Sequence, residues 1–136
     1  MNVSRSFTTL LALVALLSVA ALPAGAKGKS ALDGKRFKGE LVEKGTKDTF
    51  KDDLVFSGGR FRSTACDKFG YQPTRYEAKG TGDKVRFEAE AKNGRGDTMK
   101  WKGRVKGREV KATAVMYKKG EKKAMKRFRY EGKLRA

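Results

Sequence analysis

Apolar and charged side chains alternate with a period of two along most of the chain after residue 35. In the segment Val85-Arg86-Phe87-Glu88-Ala89 every second residue is apolar, and the residues between them are charged. Successive side chains of an extended strand point to opposite faces of a sheet. This pattern therefore predicts strands with one buried and one solvated face, and an all-β protein.

Eight segments of this kind follow one another, separated by glycine or by short polar stretches. The predicted strands cover residues 36–44, 51–57, 60–66, 74–80, 84–92, 98–106, 109–117 and 125–135. Strands joined by tight turns pair antiparallel, and closing eight of them removes both exposed sheet edges. We therefore expect a single eight-stranded antiparallel up-and-down barrel over residues 36–136, with no helix after residue 26.

Bulky and small residues alternate on the predicted inward face, as in Trp101-Lys102-Gly103 and Tyr130-Glu131-Gly132. This alternation favours a narrow barrel over a flat sandwich, because glycines allow a strand to bend sharply. The architecture resembles the calycin group, which contains the lipocalins, the fatty-acid-binding proteins and the avidin-like barrels. The resemblance implies binding of a small apolar ligand. It is one of architecture, since the first strand opens with Gly34-Lys35-Arg36-Phe37 where lipocalins have glycine, any residue, then tryptophan.

The first 26 residues have the organisation of a cleavable signal peptide. Arg5 precedes an apolar run from Leu10 to Leu22, and the small residues Ala24-Gly25-Ala26 stand before Lys27. A membrane anchor needs roughly 20 consecutive apolar residues, which this run does not reach. We therefore expect residues 1–26 to be removed, residues 27–35 to form a short arm, and the mature chain, without a transmembrane segment, to be periplasmic or secreted.

The ionisable residues exclude most catalytic chemistry. The chain has 33 Lys and Arg against 15 Asp and Glu, a formal net charge of +18, no histidine and one cysteine. Histidine is the commonest general base and the commonest metal ligand. We therefore expect no enzyme, no catalytic residue, no metal site and no cofactor. Cys66 is interpreted as a buried inert thiol in a monomer, with a Cys66-linked dimer as the alternative.

The longer connections fall at one end of the predicted barrel, which we call the mouth. They cover residues 45–50, 66–73, 93–97 and 118–124. Ligand-holding barrels bind at such an open end. The candidate ligand-binding residues of the mouth and the interior are Phe69, Tyr71, Tyr76, Trp101 and Lys118. Phe69 and Tyr71 either cover a ligand or plug the barrel end, and the plug is the favoured interpretation.

Positive charge is concentrated in the last three strands. Residues 92–136 carry 17 basic and 4 acidic residues, whereas residues 27–91 carry 15 and 11. The outward positions near the mouth define a candidate basic patch, which consists of Lys100, Lys102, Tyr117, Arg127 and Arg129. In this arrangement Tyr117 lies on the strand between two strands that carry the cations. An aromatic ring between cations suits an anionic polymer or surface. The alternative, given equal weight, is charge that only maintains solubility.

Two functions follow as expectations. The first is a non-enzymatic exported barrel that binds a small, partly apolar ligand at its mouth, with an acidic headgroup favoured by the basic loops. The alternative is an envelope-associated basic protein that binds anionic lipid, polysaccharide or nucleic acid through its outer wall. The volume of the interior distinguishes them, because a cavity favours the first function and a filled interior favours the second.

Overall fold

A computed structural model describes residues 30–136, which form a closed barrel of eight strands in sequential order. The predicted signal peptide, residues 1–26, and the first part of the predicted arm lie outside the described residues. Within residues 30–136, no helix has the length and apolar character needed to cross a membrane.

Every strand pairs antiparallel with its neighbours in the chain, and β1 also pairs with β8 to close the barrel. The strands are β1 (Arg36–Glu43), β2 (Thr49–Ser57), β3 (Arg60–Ser63), β4 (Thr74–Thr81), β5 (Lys84–Lys92), β6 (Thr98–Lys106), β7 (Glu109–Tyr117) and β8 (Lys126–Leu134). The predicted eight-stranded antiparallel up-and-down barrel is confirmed. This barrel is compatible with calycin-like architecture.

The prediction of a strand over residues 60–66, without any helix, is wrong at its end. β3 stops at Ser63, and residues Thr64–Asp67 form a single helical turn, α1. The next ladder position would bring Thr64 opposite Asp53, but there the hydroxyl Oγ1 of Thr64 accepts a hydrogen bond from the Asp53 amide at 2.9 Å. This side-chain bond satisfies the amide of β2, so the backbone is free to turn across the mouth.

Aromatic side chains fill the inside of the barrel. Six of them are at most 1% exposed: Phe37, Phe56, Phe61, Phe87, Trp101 and Tyr130. Their rings form a connected set of contacts, such as Phe61 with Trp101 at a centroid distance of 5.1 Å. A methyl group added to Gly103 would overlap the Phe87 ring and lie 2.9 Å from the Ala112 Cβ. Small inward residues therefore leave the space that the rings occupy.

The segment before β1 closes the end opposite the mouth. Leu32 is completely buried, and it packs in the same core cluster as the aromatic rings. The amide of Gly34 donates to the Phe56 carbonyl at 2.7 Å, and the Phe56 amide donates to the Lys35 carbonyl at 2.9 Å. These bonds attach the segment to β2, so that Leu32 plugs this end.

Candidate binding surfaces

The mouth is closed by α1 and the loop that follows it. The side chains of Cys66, in α1, and of Tyr71, in this loop, are buried. The Gln72 amide donates to the Lys92 carbonyl, and the Asn93 side chain donates to the Phe69 carbonyl, both at 3.4 Å. These bonds fasten the loop to the connection between β5 and β6. The barrel end is therefore covered by the chain itself.

A cavity of about 10 Å³ remains below the loop. Its lining includes Cys66, Tyr71 and Trp101. This volume holds about one water molecule, whereas a drug-sized ligand needs a pocket of roughly 300 Å³ or more. This cavity is therefore too small for a drug-sized ligand.

The five candidate ligand-binding residues do not surround a common space. Trp101 and Tyr71 line the same small cavity, Trp101 from the core and Tyr71 from the loop at the mouth. The Tyr76 hydroxyl is near the opposite end, where it lies 2.5 Å from Ser30 Oγ and donates to Asp33 Oδ1 at 3.2 Å. Phe69 is 51% exposed outside the barrel. Lys118 is exposed at the start of the connection between β7 and β8.

Asp52 is a buried carboxylate that the sequence reasoning missed. Its side chain, in a residue only 1% exposed, accepts hydrogen bonds from Ser63 Oγ at 2.7 Å and from the Ala65 amide at 3.0 Å. Burial raises the pKa of Asp52, although these hydrogen bonds oppose the shift. The signal was present in the sequence, because Asp52 shares its parity with the inward residues Leu54 and Phe56.

The thiol of Cys66 lies close to this carboxylate. Burial raises the pKa of Cys66 to about 11, and the charge of Asp52 acts in the same direction, while a hydrogen bond with Ser63 lowers it. A thiol with this pKa is protonated at neutral pH, and the thiolate is the nucleophilic form. Cys66 is therefore not an activated nucleophile. The hydrogen bonds from Ser63 and Ala65 to Asp52 instead anchor the start of α1 to β2.

The outer face of β6, β7 and β8 carries two rows of cations. The first row consists of Lys100, Val115 and Arg127, and the second consists of Lys102, Thr113 and Arg129. The structure therefore brings the four cations of the basic patch onto one surface. Each row has a cation on both outer strands and an uncharged residue on the central strand.

The sequence pattern predicts that the four cations flank Tyr117, but the structure places Tyr117 one row nearer the mouth than Lys100 and Arg127. It pairs with Thr98, so Val115 rather than Tyr117 stands between Lys100 and Arg127. The ring nevertheless contacts the patch, because Lys100 Nζ lies 5.2 Å from its centroid. The half-buried ring of Tyr117 therefore borders the first cationic row.

Few carboxylates neutralise the patch. Lys102 Nζ lies 3.8 Å from Glu88 Oε1, with both side chains well exposed, and such exposed pairs contribute little. Lys100, Arg127 and Arg129 have no ion-pair partner within 4 Å among residues 30–136. Arg127 and Arg129 therefore carry no ion pair, whereas Lys100 lies opposite Glu90 on β5 and contacts the Tyr117 ring.

An open groove of about 360 Å³ adjoins the patch at the mouth. Its basic and aromatic lining consists of Lys100, Tyr117, Lys118, Lys119 and Lys122, and its acidic lining consists of Glu90 and Glu121. The Lys119 amide donates to Asp97 Oδ1 at 3.2 Å, which links the two connections that form the groove walls. The groove extends the cationic surface from the strands onto the loops.

Neither metal chemistry nor similarity to other proteins assigns a function. The part of the chain from residue 30 onwards contains no group of three or more His, Cys, Asp or Glu side chains placed to hold a metal ion. Comparisons with protein-family models, with curated proteins and with solved structures found no match for the chain. The barrel and its surfaces are therefore the features that indicate a function.

Proposed function

We propose that the protein is an exported, non-enzymatic binding protein that contacts an anionic polymer or surface through the basic patch. Acidic polysaccharide, nucleic acid and anionic lipid share the required chemistry. The observation that carries this proposal is the contrast between a filled interior, with a cavity of about 10 Å³, and an outer face with unpaired cations.

The sheet makes the patch suited to a repeating anion. Neighbouring strands lie about 4.8 Å apart, so Lys100 and Arg127 are about 10 Å apart at the backbone across β7. Their backbones are held by a closed hydrogen-bonded barrel, so binding does not have to order the backbone of these strands. Contacts with phosphates or sulfates also release condensed counterions, which favours association and makes it sensitive to salt.

Binding of a small, partly apolar ligand, in the manner of lipocalin or avidin-like barrels, stays a prediction. It would require the loop that carries Tyr71 to open and rings such as Trp101 to leave the core. The closed mouth and the small cavity do not support it. The outer surface is therefore the better candidate.

Charge reversal with a matched control tests the proposal. The patch variant replaces Lys100, Lys102, Arg127 and Arg129 by Glu. The control replaces two lysines and two arginines that are exposed on β2, β3 and β4, namely Lys51, Lys79, Arg60 and Arg75. Both variants change the net charge equally, so they differ only in which side of the barrel loses its cations.

Affinities are measured with a fluorescent sulfated polysaccharide and a single-stranded oligonucleotide over a range of salt concentrations. We expect the patch variant to bind at least about tenfold more weakly and to flatten the salt dependence, by about 0.7 for each lost phosphate contact on a single strand. The control should lose much less. Equal losses in the two variants would mean that only net charge attracts the polymer, and no binding by the wild type would refute the proposal.

The ring of Tyr117 distinguishes nucleic acid from polysaccharide. A base stacked on an aromatic side chain contributes about 1–3 kcal/mol, whereas a polysaccharide that binds through its sulfates alone does not need the ring. If the partner is nucleic acid, Tyr117→Ala should weaken oligonucleotide binding about tenfold and Tyr117→Phe should leave it nearly unchanged. An equal effect of Tyr117→Ala on both polymers would contradict stacking.

A further inference from the structure

Two large apolar side chains remain exposed in the part of the chain that the structure describes, and both lie at the mouth. Phe69 is 51% exposed in the connection between α1 and β4, and Met125 is 47% exposed just before β8. These two connections are four strands apart in a closed barrel of eight. Phe69 and Met125 therefore project from opposite sides of the same end.

The mouth connections also carry an excess of exposed basic residues. Residues 44–48, 67–73, 93–97 and 118–125 contain Lys44, Lys47, Lys68, Arg95, Lys118, Lys119, Lys122 and Lys123 against Asp48, Asp67, Asp97 and Glu121. The charged residues at the other end, in residues 30–35, 58–59, 82–83, 107–108 and 135–136, are Lys35, Arg108 and Arg135 against Asp33 and Asp83. The end with the exposed apolar side chains is therefore also the more cationic one.

The backbone beneath Phe69 is held in place. Its carbonyl accepts the hydrogen bond from Asn93, and Lys68 Nζ lies 5.3 Å from its ring and 5.4 Å from the half-buried ring of Phe50. A basic group is thus positioned directly beside the exposed ring. Apolar side chains next to lysines are the combination that places a protein at the boundary between acyl chains and anionic headgroups.

We propose that the mouth end docks on a lipid bilayer that contains anionic lipid, with Phe69 and Met125 entering the interface and the surrounding lysines contacting headgroups. This inference rests on the proposed function in one respect, that the partner is negatively charged. The residues that it uses lie outside the basic patch. A flat surface can reach both sides of the mouth at once. Each lysine near an anionic bilayer adds to the attraction, so several together support docking.

A tryptophan at the mouth reports the contact directly. The chain has one tryptophan, Trp101, which is 1% exposed in the core, so its emission should not change on docking. We expect the emission of Phe69→Trp to shift to the blue with vesicles of phosphatidylcholine and phosphatidylglycerol, and not with phosphatidylcholine alone. Ser57→Trp, an exposed position beside the turn at the other end, is the matched control and should not shift.

Two further pairs of variants separate insertion from charge. Phe69→Ser combined with Met125→Ser should weaken partitioning into the anionic vesicles at least about tenfold, because two apolar side chains leave the interface. Lys44→Glu with Lys47→Glu at the mouth should weaken it more than Lys79→Glu with Lys84→Glu at the other end. All variants are purified as exported proteins with their N termini determined, so that they are compared in the same processed state.

The outcomes separate this inference from the proposed function. Vesicle binding without a shift in Phe69→Trp, or with an equal shift in Ser57→Trp, would overturn docking through the mouth. Binding of soluble polyanions through the patch, without any binding to anionic vesicles, would overturn this inference and leave the proposed function intact. A shift caused by oligonucleotide and not by vesicles would make the mouth a nucleic-acid surface. No binding to any of these anions would refute both.

Discussion

At the scale of single residues, Asp52 combines burial with an ionisable group at the junction of β2, β3 and α1. Burial raises its pKa above the ordinary value of 3.8. The folded state therefore disfavours the carboxylate relative to the unfolded state. With respect to this group the free energy of unfolding is greatest below pH 3.8, and it falls as the pH rises through the raised pKa.

Asp52→Asn should remove this dependence while keeping Oδ1, which accepts from both Ser63 Oγ at 2.9 Å and the Ala65 amide at 3.0 Å. We expect the variant to gain stability relative to the wild type as the pH rises from about 4 to neutrality. Urea denaturation of both proteins at several pH values measures the difference. A difference that stays constant, or that favours the wild type increasingly towards neutral pH, would show that Asp52 does not titrate in this way.

Cys66 should behave as an inert thiol in the folded protein. It is buried and its pKa is raised to about 11, so little thiolate exists at neutral pH. We expect iodoacetamide to modify Cys66 slowly in the native state and rapidly in denaturant, as followed by intact mass. Rapid native modification would contradict the buried position, and a disulfide-linked dimer on a non-reducing gel would favour the alternative of intermolecular bridging.

At the scale of elements, the closing pair of β1 and β8 depends on two glycines that face each other. Gly39 pairs with Gly132, and a methyl group on Gly39 would overlap the Glu131 carbonyl oxygen and lie 2.6 Å from the Gly132 Cα. The obstacle is backbone, which a change of rotamer cannot remove. The strands would have to separate where the barrel closes.

Gly39→Ala should therefore destabilise the protein by about 3 kcal/mol. Gly94→Ala is the matched control, because a methyl group there meets no atom within 4 Å. Chemical denaturation of both variants measures the free energies of unfolding. Similar stabilities of the two variants would refute the close approach of β1 and β8.

Most strands could be predicted from sequence because each carries one charged and one apolar face. The exception is the end of β3, where Thr64 and Asp52 form side-chain hydrogen bonds that an alternation pattern does not reveal. The position of Tyr117 was partly predictable. The two-residue turn Gly107-Arg108 pairs Lys106 with Glu109, and counting back along the strands pairs Lys100 with Val115. The register of β8 against β7 was not predictable, because the long connection between these strands does not fix which residues pair.

At the scale of the whole molecule, the filled interior could not be predicted from residue types. The inward faces contain both bulky and small residues, and the total volume of these side chains is compatible with a cavity or with a packed core. Only the stagger of the strands brings Gly103 against Phe87 and leaves a cavity of about 10 Å³. Of the five candidate ligand-binding residues, only Tyr71 and Trp101 line this cavity.

The filled core predicts that the protein is isolated without a bound small molecule. Native mass spectrometry of protein purified from its own host should give the mass of the polypeptide alone. A retained small ligand would contradict the filled interior and favour the prediction of a ligand-holding barrel.

Trp101→Ala should create the space that the wild type lacks. It should destabilise the protein by about 4 kcal/mol, because a large side chain leaves a packed core. Chemical denaturation measures this loss. A loss below about 1 kcal/mol would indicate that Trp101 is not packed as the structure shows.

The most direct test of the central claim is an NMR titration of the isotope-labelled protein with a short sulfated oligosaccharide. The account predicts that amide shifts concentrate on the outer rows of β6, β7 and β8, which contain Lys100, Lys102, Thr113, Val115, Arg127 and Arg129. Amides of β2 to β4 should change little. Shifts centred on Tyr71 and Trp101 would place the ligand inside the barrel and contradict the account, as would shifts spread evenly over all basic residues.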